Sequence, residues 1–163
     1  MATPSAVRTS AGTKLYISGT GSAPAAAPSG LSSTYDAPTF AGASYILIGE
    51  LIDLGSFGKK YNLVSFNPLS ARNTVKRKGS YNNGQLQLKL GDSIMDNGQL
   101  ALKAATDQDV SYAFKVVVQS GTTYYFTGQV LDWMLQVGSV DTITGLTVDI
   151  EIDNDIVTTN QAA

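Results

Sequence analysis

Three stretches of this chain alternate apolar and polar residues with period two, and that pattern constrains the fold more than any other feature. Leu86, Leu88 and Leu90 alternate with Gln85, Gln87 and Lys89. Tyr112, Phe114, Val116 and Val118 share one face of residues 111–119, and Val148, Ile150 and Ile152 share one face of residues 142–153. Successive side chains of a strand point to opposite faces, so each stretch reads as a half-buried strand. A helix of the same residues would scatter these apolar positions around its axis.

Further strands follow from weaker signals. Lys14–Ser18 alternates. Tyr45–Leu54 is a nearly continuous apolar run interrupted by Gly49 and Glu50, which predicts a strand with a bulge at Gly49. Tyr61–Phe66 predicts another strand. Ser120-Gly121 turns residues 111–119 back into Thr122–Val137, so these two form a hairpin. Tyr124, Phe126 and Trp133 are its aromatic burial. Residues 92–107 are the one helical patch, with Asp96 or Asn97 placed to cap it. The fold class is mainly β: a β-sandwich or half-barrel with one short flanking α-helix.

A chain of 163 residues makes one domain with a sizeable core. The expected organisation is an N-terminal arm over residues 1–13, a single domain over 14–155 and a C-terminal tail over 156–163. Residues 19–44 are rich in Ala, Gly, Ser and Pro and carry no period. So long a stretch is a functional arm or a surface loop, expected to be mobile in a free subunit and ordered in an assembly.

Absences narrow the chemistry. The chain has no Cys and no His. That removes disulfides, thiolate chemistry, Ser-His-Asp and Cys-His arrangements and the usual zinc sites. No Gly-rich phosphate loop connects a strand to a helix. Asp107 and Asp109 sit in a helix-to-strand turn with nothing around them to suggest a catalytic cleft. No enzyme activity and no cofactor are expected. The N-terminal residues lack the apolar core of a signal peptide, and no apolar run reaches the ~18 residues of a spanning helix. Synthesis and folding in the cytosol are expected.

Charge is unevenly placed, although the formal net charge is only −2. Lys59, Lys60, Arg72, Lys76, Arg77 and Lys78 lie in one stretch, with no acid between Asp53 and Asp92. After Lys115 there is no Lys or Arg at all. The basic stretch reads as a phosphate-binding cluster, a solvated loop, or a surface that docks on the acidic segment of a neighbouring copy. Asp149, Glu151 and Asp153 project from one face of the last long strand, opposite Val148, Ile150 and Ile152. Their mutual repulsion costs stability, and calcium-loop spacing is missing, so no metal is expected and the row belongs to an exposed face.

Four stretches together resemble the major tail tube proteins of long-tailed, non-contractile bacteriophages. They are Ile48–Gly55, the loop Asn67–Ser80 running into Tyr81–Leu90, Asp96–Leu100 before Tyr112–Val116, and Tyr125–Val130 leading through Val140-Asp141 to Thr144–Ile150. The resemblance covers about two thirds of the chain. It implies a structural virion protein, made in the host cytoplasm, with a fold similar to the tubes of contractile tails and type VI secretion. It implies hexameric rings, closed by inner strands into a β-barrel and stacked into a tube that delivers viral DNA without binding it specifically. Implied partners are further copies, a tail-tip initiator, a tape measure and a terminator. Asp149, Glu151 and Asp153 become candidate lumen residues, because carboxylates repel passing phosphates. The six basic residues become candidate contacts between subunits or rings. The alternative is a carbohydrate- or receptor-binding β-sandwich, for which Tyr35, Tyr45, Tyr61 and Tyr81 are the candidate aromatics.

Overall fold

A computed structural model describes residues 9–27 and 40–159. Its strands are β1 (Lys14–Thr20), β2 (Ala23–Pro24), β3 (Tyr45–Ile48), β4 (Leu51–Asp53), β5 (Lys60–Phe66) and β6 (Val75–Asn82). They continue with β7 (Gln85–Gly91), β8 (Tyr112–Val117), β9 (Thr123–Gln136), β10 (Gly145–Ile152) and β11 (Val157–Thr159). Helix α1 (Asn97–Thr106) lies between β7 and β8. Among the described residues no helix is long and apolar enough to cross a membrane.

One antiparallel sheet dominates, running laterally β1-β8-β9-β10-β7-β4, with β3 on the free edge of β1. Strand β9 is 14 residues long and serves two sets of partners. Its first half, Thr123–Gly128, pairs with β8, and Thr123–Tyr125 also pair with β11 on the opposite edge. Its second half, Gly128–Gln136, pairs with β10. The handover occurs at Gly128, where a Cβ would stand 2.6 Å from the Glu151 carbonyl oxygen. Only glycine allows this approach.

The sheet curls into a half-barrel around its apolar face. Leu15, Ile17, Leu86, Leu88, Phe114, Phe126, Val148 and Ile150 are completely buried there. Phe114 stacks on Phe126 with ring centroids 5.5 Å apart. At ~1.5–3 kcal/mol per large apolar side chain, this face is the main source of stability.

Helix α1 packs its buried Ala101, Leu102 and Ala105 into the same core. It starts at Asn97, not at residue 92, because Asp96 caps it and accepts from the Gln99 amide at 3.1 Å. The same carboxylate accepts from the Gly49 amide at 2.9 Å. The Gln99 side-chain amide donates to the Gly91 carbonyl at 2.8 Å, and its oxygen accepts from the Ser93 amide at 3.0 Å. These bonds fasten the break between β3 and β4 to the helix. The expected single bulged strand over 45–54 is therefore two short strands, with Glu50 at a left-handed φ of 54° between them.

The expected arm at residues 19–44 divides into three parts. Residues 19–27 are built into the sheet: β1 runs to Thr20, β2 pairs with its end, and Ala26 bridges to Tyr112. At the other end Phe40 is buried against Tyr125 with centroids 5.5 Å apart, on the sheet face opposite the main core. Residues 28–39 lie outside the described residues. Strand β11 lies within the segment expected to be a C-terminal tail.

Candidate functional site

Three surfaces stand out, and the first is a hairpin. Among the described residues strands β5 and β6 pair only with each other, from Lys60↔Asn82 to Phe66↔Val75. Nearly every residue on both is exposed. The basic stretch expected as a loop is therefore largely a strand. Pairing assigns its faces. Leu63, Ser65, Lys76 and Lys78 lie on one, and Val64, Phe66, Val75 and Arg77 on the other. Phe66 is 65% exposed, and Leu69 in the connecting loop is fully so. Lys60, Arg72, Lys76, Arg77 and Lys78 are all exposed.

Lys59 is ion-paired, and Lys78 Nζ lies 5.0 Å from the Tyr61 ring centroid. Lys59 Nζ lies 3.1 Å from Asp155 Oδ1 and 4.1 Å from the Tyr81 ring centroid. Hydrogen bonding to Asp155 raises the Lys59 pKa, and the Lys59 partner lowers that of Asp155. One expected contact residue thus already has a partner at the foot of its own hairpin. Tyr61 and Tyr81 pack on each other with centroids 5.3 Å apart. Tyr45 is half-buried against Tyr125, and burial raises its pKa. Tyr35 lies outside the described residues.

The second surface is the polar face of the main sheet. Leu146, Val148, Ile150 and Ile152 point into the core, so Asp149 and Glu151 occupy the opposite face. Gln85 and Gln87 of β7 and Gln129 and Asp132 of β9 share that face through direct pairing. Asp149 sits at a bulge, where its amide donates to Asp132 Oδ1 at 3.1 Å. Burial, and then the Asp132 charge, push the Asp149 carboxyl upward. Asp153 lies just past the end of β10. It accepts from Thr127 Oγ1 at 2.6 Å and from the Ser111 hydroxyl, so its role in the fold is to tie three segments together. Lys89 also lies on this face, paired with Thr147 and Asp53. A cation therefore stands among the carboxylates. No group of three or more acidic side chains among the described residues is arranged to hold a metal.

The third surface was not anticipated. A groove of about 210 Å³ runs between α1 and the second half of β9, lined by Ile94, Leu100, Lys103, Trp133 and Leu135, with Asp92 and Gln99 at its polar rim. Ile94 and adjacent Met95 are 80% and 86% exposed. Lys103 Nζ lies 4.9 Å from the Trp133 ring centroid. The indole Nε1 is buried and has no acceptor among the described residues. The only sequence signal was Trp133 itself, which was assigned to ordinary aromatic burial.

No family model matches the sequence, and no curated protein matches it. Solved structures do resemble the fold. A chain of the anti-feeding prophage baseplate, determined by cryo-EM with 6-fold symmetrisation, aligns with a TM-score of 0.59 at 9% identity. That alignment covers 98% of each chain. The SPP1 tail tube, a hybrid solid-state NMR and cryo-EM structure, aligns with a TM-score of 0.58 at 12% identity. It covers 93% of this chain and 78% of that one. The curled β-sheet with helix α1 against it is thus a fold shared with the SPP1 tail tube.

Proposed function

We propose that this chain is a tail tube subunit: a structural virion protein whose copies close into hexameric rings and stack into a hollow tube for DNA delivery. The observation that carries this reading is the β5–β6 hairpin, two strands that bury neither face while Leu63, Val64 and Phe66 stay exposed. A two-stranded hairpin is marginal alone, and apolar side chains held on one mark a contact surface. The fold shared with the SPP1 tail tube supports the same role. Copies of the chain are the first partner. A tail-tip initiator, a tape measure and a terminator bind at particular places along the tube.

Arg72, Lys76, Arg77 and Lys78 meet an acidic surface of a neighbouring subunit or ring. Lys60 joins them, and Lys59 fixes the hairpin foot to Asp155. Asp149 and Glu151 face the lumen, where carboxylates and glutamines keep phosphates from adhering. Asp153 anchors the end of that strand. Lys89 shares this face, opposite Asp53 of β4 in the pairing register.

Electron microscopy of the purified protein over a range of concentrations tests the proposal, with rings and stacked tubes expected. A protein that stays monomeric across concentration and salt, and forms no tubes when seeded with tail-tip complexes, overturns it.

A further inference from the structure

We infer that the groove between α1 and the second half of β9 receives the tip of the β5–β6 hairpin from a second copy of this chain. This rests on the proposed self-assembly and names its receiving surface. The groove and the hairpin tip are different patches of one molecule. Both expose apolar side chains: Ile94, Leu100 and Leu135 on one, Phe66 and Leu69 on the other. A chain carrying two such complementary patches associates head to tail, and repetition of that contact gives rings or filaments.

Charge selects a copy of the same chain as the occupant. Residues 59–78 hold six of the 11 Lys and Arg and none of the 13 Asp and Glu, leaving the remainder with five bases against 13 acids. Each subunit thus offers a cationic projection and an anionic body, and opposite fields steer one toward the other. Trp133 adds a directional requirement. Its buried N–H has no acceptor among the described residues, and a buried donor left unpaired is destabilising. The hairpin connection, Asn67–Thr74, is a loop, and loop carbonyls outside the β5–β6 ladder are the acceptors an incoming tip can bring.

The chain has no cysteine, so introduced thiols report the contact without background. Leu69→Cys and Leu100→Cys both replace exposed side chains, and circular dichroism verifies their folding. Under mild oxidation of assembled protein, the double variant is expected to give a ladder of covalent multimers. A mixture of the two single variants is expected to stop at dimers, and each single variant alone to give none. Tubes visible by microscopy without any bonded species overturn the inference while leaving the tube reading standing. Bonded multimers without tubes support the groove contact and count against the tube reading. In a second measurement, Trp133→Phe keeps the ring and removes the N–H. The critical concentration for assembly is expected to rise up to about tenfold. An unchanged value overturns the role given to the indole.

Discussion

Strands β6 and β7 follow one another with only Asn83 and Gly84 between them, yet they live in different environments. On β7, Leu86, Leu88 and Leu90 are buried and the intervening Gln and Lys residues are exposed. On β6, Val75 to Asn82 are exposed on both faces except for half-buried Gly79. Both strands satisfy their backbone hydrogen bonds by antiparallel pairing. What separates them is the second partner. Strand β7 lies between β10 and β4 over a core, whereas β6 has only β5 among the described residues. Hydrogen bonding alone contributes little net stability, so β7 draws its stability from burial and β6 lacks that source.

The largest test of this contrast is truncation in each region. Phe126→Ala is expected to lower subunit stability by ~3–5 kcal/mol in urea denaturation. Phe66→Ala is expected to stay within about 0.5 kcal/mol of the parent, as for an exposed site. Equal losses would show that the hairpin packs on its own subunit and would end the comparison.

Gly98 sharpens the body side. A Cβ there would lie 2.3 Å from the Leu47 carbonyl oxygen and 2.5 Å from the Ile48 Cα, both backbone atoms. Gly98→Ala is expected to lift α1 off β3 and cost ~1–3 kcal/mol, read as a lowered melting temperature. A melting temperature at or above the parent's would show that the helix seat yields easily.

Replacing Arg72, Lys76, Arg77 and Lys78 together by Glu sharpens the hairpin side. Subunit stability is expected to change by less than about 0.5 kcal/mol while tube formation is abolished. Tubes forming normally from this variant would remove electrostatics from the contact. Exposed ion pairs are individually worth ~0–1 kcal/mol, so the four are best reversed together.

The smallest effect concerns pH, where Asp149 and Asp155 differ in sign. The Asp149 carboxyl is raised, so its contribution to stability is present in acid and lost as pH rises through the raised folded value. The Asp155 carboxyl is lowered, so its contribution is present above the unfolded value and lost as pH falls through the lowered one. Asp149→Asn is therefore expected to raise the melting temperature at neutral pH. Asp155→Asn is expected to lower it there and to have no effect in strong acid. Identical shifts at both positions would contradict the placement of Asp132 and Lys59 as their respective neighbours.

Legibility in the sequence followed burial. Strands β7, β8 and β10 each bury one face, and alternation exposed them at once. Strand β6 buries none, so Val75-Lys76-Arg77-Lys78-Gly79 carried no period and read as a loop. Strand β11 has only three residues, too few to show one. The Asp96 cap was visible, but its second bond to Gly49 joins residues 47 positions apart and had no local trace. The open face shows the same limit. Asp149 and Glu151 were placed correctly opposite the apolar alternates. Lys89 reaches their face only through the register of β7 on β10, and that register is a property of the folded sheet. Asp153 looked like a third member of the row until the strand ended one residue before it. The groove beside Trp133 needs α1 and β9 together, so neither segment announced it.

Strand β9 has a kinetic consequence. Because one continuous backbone serves β8 and β11 with its first half and β10 with its second, neither half of the sheet can be completed without it. Strand β9 itself joins β10 across the short 137–144 connection, and the long loops are closed on either side of it, where β1 pairs with β8 and β7 with β10. Loop-closure entropy is met before such pairings stabilise anything, so folding is slow relative to a helical bundle of this size. Nucleation on the β8–β9 hairpin, whose two strands are joined by the short 118–122 turn, is the most local route to the sheet. In a nascent chain β1 with β3, β4 with β7 and β5 with β6 can pair without β9, but the two halves of the main sheet join into one unit only once β9 has emerged.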